Sequence, residues 1–254
     1  MKGTRITPLL TATHRYDKSI STRNRGAGET IEAPILAYLI ETSNGRILYD
    51  VGCDYAKISD PAKRARYYDP AVFAMGAPEM SEAQRLPHHL SRFGLTPSEI
   101  DVVFLGHLHF DHAGGLCDVA NCEIHVQRTE FDAAHTSGDA GYFVDDFLGD
   151  YHFRLMDGEY DLVPGVRAIS SPGHTAGHMS LYIETAAGPP VLLCGDAADL
   201  TENLEDEIAP GILWQEREDL ALESIRKLKA IAREHRAGLW PNHDMAFWRR
   251  LTLS

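Results

Sequence analysis

Short apolar runs that stop at turn residues recur along this chain. "PILAYLIET" at 34–42 and "NGRILYDVG" at 44–52 predict a β-hairpin turning at Asn44-Gly45. The same pattern predicts strands at 101–106, 122–127, 165–171, 180–185 and 190–196, with a last short one inside 237–244. Helical signals fall between them. Thr96-Pro97-Ser98-Glu99 has the form of a capping box with proline at the first helical position. Within 216–238, Leu222, Ile225, Leu228 and Ile231 make one apolar stripe, and Gly238 is placed to end it. Strands and helices mixed over the whole length, with a hairpin among them, indicate an α/β layered architecture. Residues 54–92 and 132–160 break the pattern and are richer in tyrosine, proline and charge. They read as insertions carrying substrate loops within a single domain spanning 1–254.

Composition narrows the class. A hydrophobic share of 44% without an apolar run of membrane-spanning length fits a globular protein. The first residues show no apolar core followed by a small-residue cleavage site, so the expected location is the cytoplasm. A formal charge of −13 argues against nucleic acid or an anionic membrane as partner, while leaving room for a small substrate at a locally positive metal site. A homodimer is compatible with all of this. Cys53, Cys117, Cys122 and Cys194 form no Cys-x-x-Cys pair and read as free thiols, although Cys117 and Cys122 are near enough in sequence to pair.

The chemistry concentrates in "LGHLHFDHAGGL", residues 105–116. His107 and His109 directly follow a predicted strand and, two apart, project to one side; Asp111 and His112 fall in the next turn. The arrangement repeats at three other strand ends, in His174, Asp196 and His243. If these ends share one sheet edge, five imidazoles and two carboxylates converge. Such a set suits two divalent ions, zinc first, with iron, manganese or cobalt also compatible. Asp196, alone at its strand end, is the natural bridge. His178, four residues after His174, is expected to pack or hydrogen-bond behind the ligands. His125 reads as a strand residue and His88-His89 as a helix face, and His14, His135, His152 and His235 have no supporting context.

"HLHFDH", "PGHTAGH", "GD" at 195–196 and "NHD" at 242–244 together resemble the motifs of the metallo-β-lactamase superfamily. The flanks "VQRTEFDAA", "GEYDLVPGV" and "ENLEDE" are similar to those of its N-acyl-homoserine lactonase branch. The resemblance implies a four-layer αββα sandwich with the metals at one edge of the paired sheets. It implies His107, His109 and His174 on one ion, Asp111, His112 and His243 on the other, and Asp196 bridging them. The implied reaction is opening of an N-acyl-homoserine lactone or other small lactone by a metal-bridging hydroxide, a quorum-quenching chemistry. Two close cations bring such a water towards a pKa of about 7, and Asp111 would orient it and move a proton. A thioesterase or phosphodiesterase of the same superfamily is the alternative reading, and a non-hydrolytic metal-binding protein a further one.

One position departs from the branch. Where those lactonases carry a tyrosine three residues beyond the bridging aspartate, this chain has Asp199. Asp199 is therefore a catalytic acid held protonated, a contact to a polar part of a different substrate, or a solvent-facing bystander. Tyr16, Tyr67, Tyr68 and Tyr142 are candidates for the missing hydroxyl, and sequence assigns no substrate contact among them.

Overall fold

A computed structural model describes residues 4–119 and 122–253. The first strand, β1 (Arg5–Asp17), pairs antiparallel with β2 (Thr30–Thr42), which turns through the expected hairpin into β3 (Gly45–Tyr49). Beyond two short helices, α1 (Tyr55–Ser59) and α2 (Pro61–Tyr67), and a third, α3 (Leu86–Ser91), the chain enters β4 (Val102–Phe104). One turn of helix, α4 (Phe110–Ala113), leads to β5 (Glu123–Gln127), α5 (Arg128–Thr136) and β6 (His152–Met156). These six strands form the first sheet in chain order, with β3 to β6 parallel.

The second sheet takes β7 (Tyr160–Val163), β8 (Val166–Ser170), β9 (Met179–Ile183), β10 (Val191–Leu193) and, after α6 (Thr201–Glu205) and α7 (Glu218–His235), β11 (Gly238–Trp240). Its order is β11-β10-β9-β8-β7, and α8 (Met245–Leu253) follows.

Side-chain alternation stacks the layers. Leu36, Tyr38 and Ile40 of β2 join Leu181, Ile183 and Leu193 of the second sheet in one core between the sheets. The intervening Ala37 and Leu39 face the other way, packing with Leu86, Leu90 and Leu105. On the far side, Ile169 and Leu192 meet Ile225 and Leu228 of α7. Helix, sheet, sheet, helix is the αββα order that the motifs implied.

Several elements differ from the sequence reading. Residues 5–17 form a long strand that the period-2 test missed, because β1 carries Pro8 and a register shift between Leu10 and Ala12. The segment 132–160 is not wholly irregular, since it holds the end of α5 and the edge strand β6. The capping box at Thr96 closes only a three-residue 3-10 turn, Pro97–Glu99. Helix α7 ends at Arg236 in left-handed conformation, with the N–H groups of Arg236 and Ala237 both closing on the Ala232 carbonyl. Gly238 instead opens β11.

Candidate metal centre

β8 and β10 both run antiparallel to β9 between them, and β11 is parallel to β10. The carboxyl ends of β8, β10 and β11 therefore share one edge, beside that of β4. His107 lies past β4, His109 caps α4, and Asp111 and His112 lie inside it. His174 follows β8, Asp196 sits in a 3-10 turn directly after β10, and His243 follows β11. Glycine permits the tight approach here: a Cβ on Gly115 would lie 2.1 Å from the Val51 carbonyl oxygen, and one on Gly141 2.8 Å from the His109 ring.

The seven residues gather into two overlapping clusters. The ligand atoms of His107, His109 and His174 lie within 4.8 Å of one another, as do those of Asp111, His112 and His243. Asp196 stands between them. Its Oδ2 is 3.5 Å from His174 Nε2 and 3.8 Å from His107 Nε2, while its Oδ1 is 3.3 Å from His112 Nε2 and 3.2 Å from His243 Nε2.

The imidazoles differ electrostatically, within the first cluster as well as between the two: burial opposes charge on His109, but Asp139 outweighs it and raises that ring. Burial pushes His107 well below the usual imidazole range and His174 down to about 3. Burial also opposes the charged forms of His112 and His243, but the Asp196 carboxylate outweighs it, and His243 is pushed up to about 10. Both ring nitrogens of His107, Nε2 of His109, Nε2 of His112 and Nδ1 of His174 are buried without a hydrogen-bond partner. His174 Nε2 also faces His109 Nδ1 at 3.0 Å. Buried polar nitrogens left unpaired are costly; cations would take up the orphaned His107 Nε2 and His112 Nε2 together with the facing His109 Nδ1 and His174 Nε2, so the donor set fits a dinuclear metal site.

Three supporting residues escaped the sequence reading or were only partly foreseen. Asp50, at the end of β3, receives the Gly106 N–H at 2.8 Å and lies 2.7 Å from His112 Nδ1. Glu130 accepts from the Leu108 N–H (3.1 Å), the Gly177 N–H (2.9 Å) and the Tyr142 hydroxyl (3.0 Å), so one buried carboxylate ties the His107–His109 turn to the His174 loop. His178 sits behind the ligands, as expected. Its Nε2 accepts the Asp196 N–H at 2.9 Å, and burial holds it near 4, so it stays neutral.

A cavity of about 230 Å³ opens over this floor. Val72, Phe73 and Met75 from one insertion and Ala140 and Gly141 from the other wall it, with Phe110. His14, which sequence left without context, also lines it and holds the Met75 and Gly76 carbonyls through Nε2, at 3.2 and 2.9 Å.

Of the candidate tyrosines, Tyr16 lines this cavity, its hydroxyl 2.9 Å from Ser21 Oγ. Tyr142 is committed to Glu130 and Tyr67 to Asp145, while the Tyr68 ring packs among Phe73, Phe110 and Phe143. Asp199 is not solvent-facing. It is 4% exposed and lines the cavity, and burial, reinforced by Asp196, pushes its carboxyl up. All four cysteines are free, and of the four only Cys117 is exposed. Among the described residues no helix is long and apolar enough to cross a membrane.

Comparison with known proteins agrees with the geometry. Residues 31–236 match the sequence model of the metallo-beta-lactamase superfamily. An N-acyl homoserine lactonase from a Bacillus species is 36% identical over 218 residues, covering 86% of this chain and 84% of that one. The N-acyl homoserine lactonase AttM of Rhizobium radiobacter is 28% identical, covering 89% and 87%. A solved N-acyl homoserine lactone hydrolase, with its product N-hexanoyl-L-homoserine bound at the catalytic metal center, superposes with a TM-score of 0.86 at 32% identity, covering 98% of this chain and 96% of that one. With its two-sheet fold, its strand-end ligand set and these relatives, the chain belongs to the metallo-beta-lactamase superfamily.

Proposed function

We propose that this protein is a dinuclear metal-dependent hydrolase that opens the ring of N-acyl-homoserine lactones or closely similar small lactones, and that zinc occupies the imidazole-rich part of its site. The observation that carries the reading is Asp196 standing between two histidine clusters on the floor of an apolar-walled cavity. Relatives aligned over 86% of the chain are lactonases, which selects the lactone among activated esters. Four free cysteines favour a reducing compartment such as the cytoplasm.

Bound at these ligands, divalent cations supply Lewis acidity, polarising the ester carbonyl and bringing a water towards a pKa of about 7. The protein supplies the rest. Asp111 Oδ2 stands 3.7 Å from His112 Nε2 and 3.8 Å from His243 Nε2, at the cavity floor. There its carboxylate orients the attacking water, takes up its proton and returns that proton to the ring oxygen that leaves. Tyr16, fixed by Ser21, presents a hydroxyl to the substrate carbonyl, the task given to a tyrosine at another position in the branch. Val72, Phe73, Met75 and Phe110 exclude water and receive the acyl chain.

Metal-loaded protein is assayed in a pH-stat on short-chain, long-chain and aromatic lactones beside a thioester and a phosphodiester. The proposal expects acid release fastest from N-acyl-homoserine lactones and abolished by chelator. Absence of metal-dependent release from every lactone, or faster turnover of the thioester, contradicts it.

A further inference from the structure

Asp199 occupies a setting that neither the fold nor the reaction above requires. Its backbone is tied to the ligand loop after β11, because the His243 N–H donates to the Asp199 carbonyl at 2.8 Å and the Asn242 N–H to the Ala198 carbonyl at 3.2 Å. The side chain therefore moves with His243. A carboxylate oxygen of Asp199, a carboxylate oxygen of Asp196 and a ring nitrogen of His243 lie within 4.8 Å of one another. With metal–ligand bonds of roughly 2.0–2.2 Å, one ion between them reaches all three after small adjustments.

The second observation is electrostatic. Asp199 Oδ1 is sealed from solvent and has no hydrogen-bond partner. A buried carboxylate oxygen without a donor is among the most costly groups a protein can hold. The groups around Asp199 deepen that cost. Asp196 and Asp111 are both acidic; His243 is the imidazole that faces it, and the Ser21 hydroxyl is shared with Tyr16. The facing His243 and the Ser21 hydroxyl offset part of this cost, and a divalent cation between Asp199, Asp196 and His243 would offset more.

We propose that Asp199 is an additional ligand to the ion held by Asp111, His112, His243 and Asp196, making that position carboxylate-rich and distinct from its neighbour. The proposal rests on the two-ion reading above. One position then draws on three imidazoles and the shared Asp196, and the other on two imidazoles and three carboxylates. Hard, oxygen-preferring ions such as Mn²⁺ gain most from the added carboxylate, whereas the three-histidine position keeps its preference for Zn²⁺. The chain thus becomes a candidate for mixed-metal occupancy, with one borderline and one harder ion.

The test is stepwise binding of Zn²⁺ and of Mn²⁺ alone to the metal-free full chain, by competition with a chromophoric chelator, for wild type, Asp199→Asn and Asp199→Ala. Folding is checked by circular dichroism. Asp199→Asn keeps the shape, so a folded variant remains should the alanine disrupt the loop. Both folded variants are expected to bind the first ion as wild type does. They are expected to bind the second at least about tenfold more weakly, and to lose more for Mn²⁺ than for Zn²⁺. In Co²⁺-loaded protein the visible d–d absorption intensifies as that ion loses a ligand. Unchanged affinities and an unchanged Co²⁺ spectrum in the folded variants overturn the role of Asp199. Failure of wild type itself to take up two ions overturns instead the two-ion reading on which it rests.

Discussion

The carboxylate of Asp50 lies 2.7 Å from His112 Nδ1, and both side chains are almost completely buried. The contact leaves His112 Nε2 directed at Asp196, and a histidine held in this way is both oriented and more basic towards a metal. Asp50→Ala is expected to weaken the ion bound at His112 by about 10–100-fold, with Asp50→Asn intermediate. Chelator competition measures it, and an unchanged affinity would show that His112 is positioned by its helix alone.

Glu130 joins the His107–His109 turn to the His174 loop. Glu130→Ala strands the Leu108 and Gly177 N–H groups and the Tyr142 hydroxyl. Each buried orphan costs about 1–3 kcal/mol, so urea unfolding of the metal-free variant is expected to show a loss of about 3 kcal/mol or more. Glu130→Gln, which keeps one acceptor, loses less.

The cavity walls are fastened to each other. Lys57 Nζ, in the first insertion, lies 2.7 Å from Asp146 Oδ1 in the second, with side chains 6% and 4% exposed. Removing one partner of such a buried pair costs about 3–5 kcal/mol, while apolar replacement of both is close to neutral. Lys57→Ala is therefore expected to lower the unfolding midpoint sharply and to raise KM for long-chain substrates. Lys57→Met combined with Asp146→Leu should recover most of the stability.

Proton linkage offers another check. In the metal-free protein the His243 pKa is pushed up to about 10, above its ordinary 6.5, by Asp196 acting against burial. The stabilisation is fully present below about pH 6.5 and is lost as pH rises through about 10. A cation must displace this proton, so metal affinity is expected to rise with pH across that window, about tenfold per unit for each proton released. Calorimetric titration at pH 8 in buffers of differing ionisation enthalpy should report a release of about one proton or more. Identical heats in all buffers would contradict it.

The candidate ligands were legible because they cluster in the segments that follow β4, β8, β10 and β11, where sequence position and spatial position coincide. The residues that hold those ligands were not. Asp50 is 62 residues from His112, and Glu130 is 47 from Gly177, so only the packed sheets bring them together. A lone acid at a strand end or in a helix carries no periodic signal of such a role. Asp199 shows the same limit from the other side. Its identity departed visibly from the branch, but its burial depends on the loop after β11 folding over it. The strand β1, broken by a proline and a bulge, was invisible to a period-2 test while contributing Tyr16 and His14 to the cavity.

The central claim is that His107, His109, Asp111, His112, His174, Asp196 and His243 hold two ions. Anomalous diffraction from crystals of the metal-loaded protein, recorded either side of the metal edge, tests it most directly. The account predicts two peaks about 3.5–4 Å apart, with Asp196 between them and each flanked by its own histidine cluster. A single peak, or a second ion lying away from Asp111, His112 and His243, would contradict it.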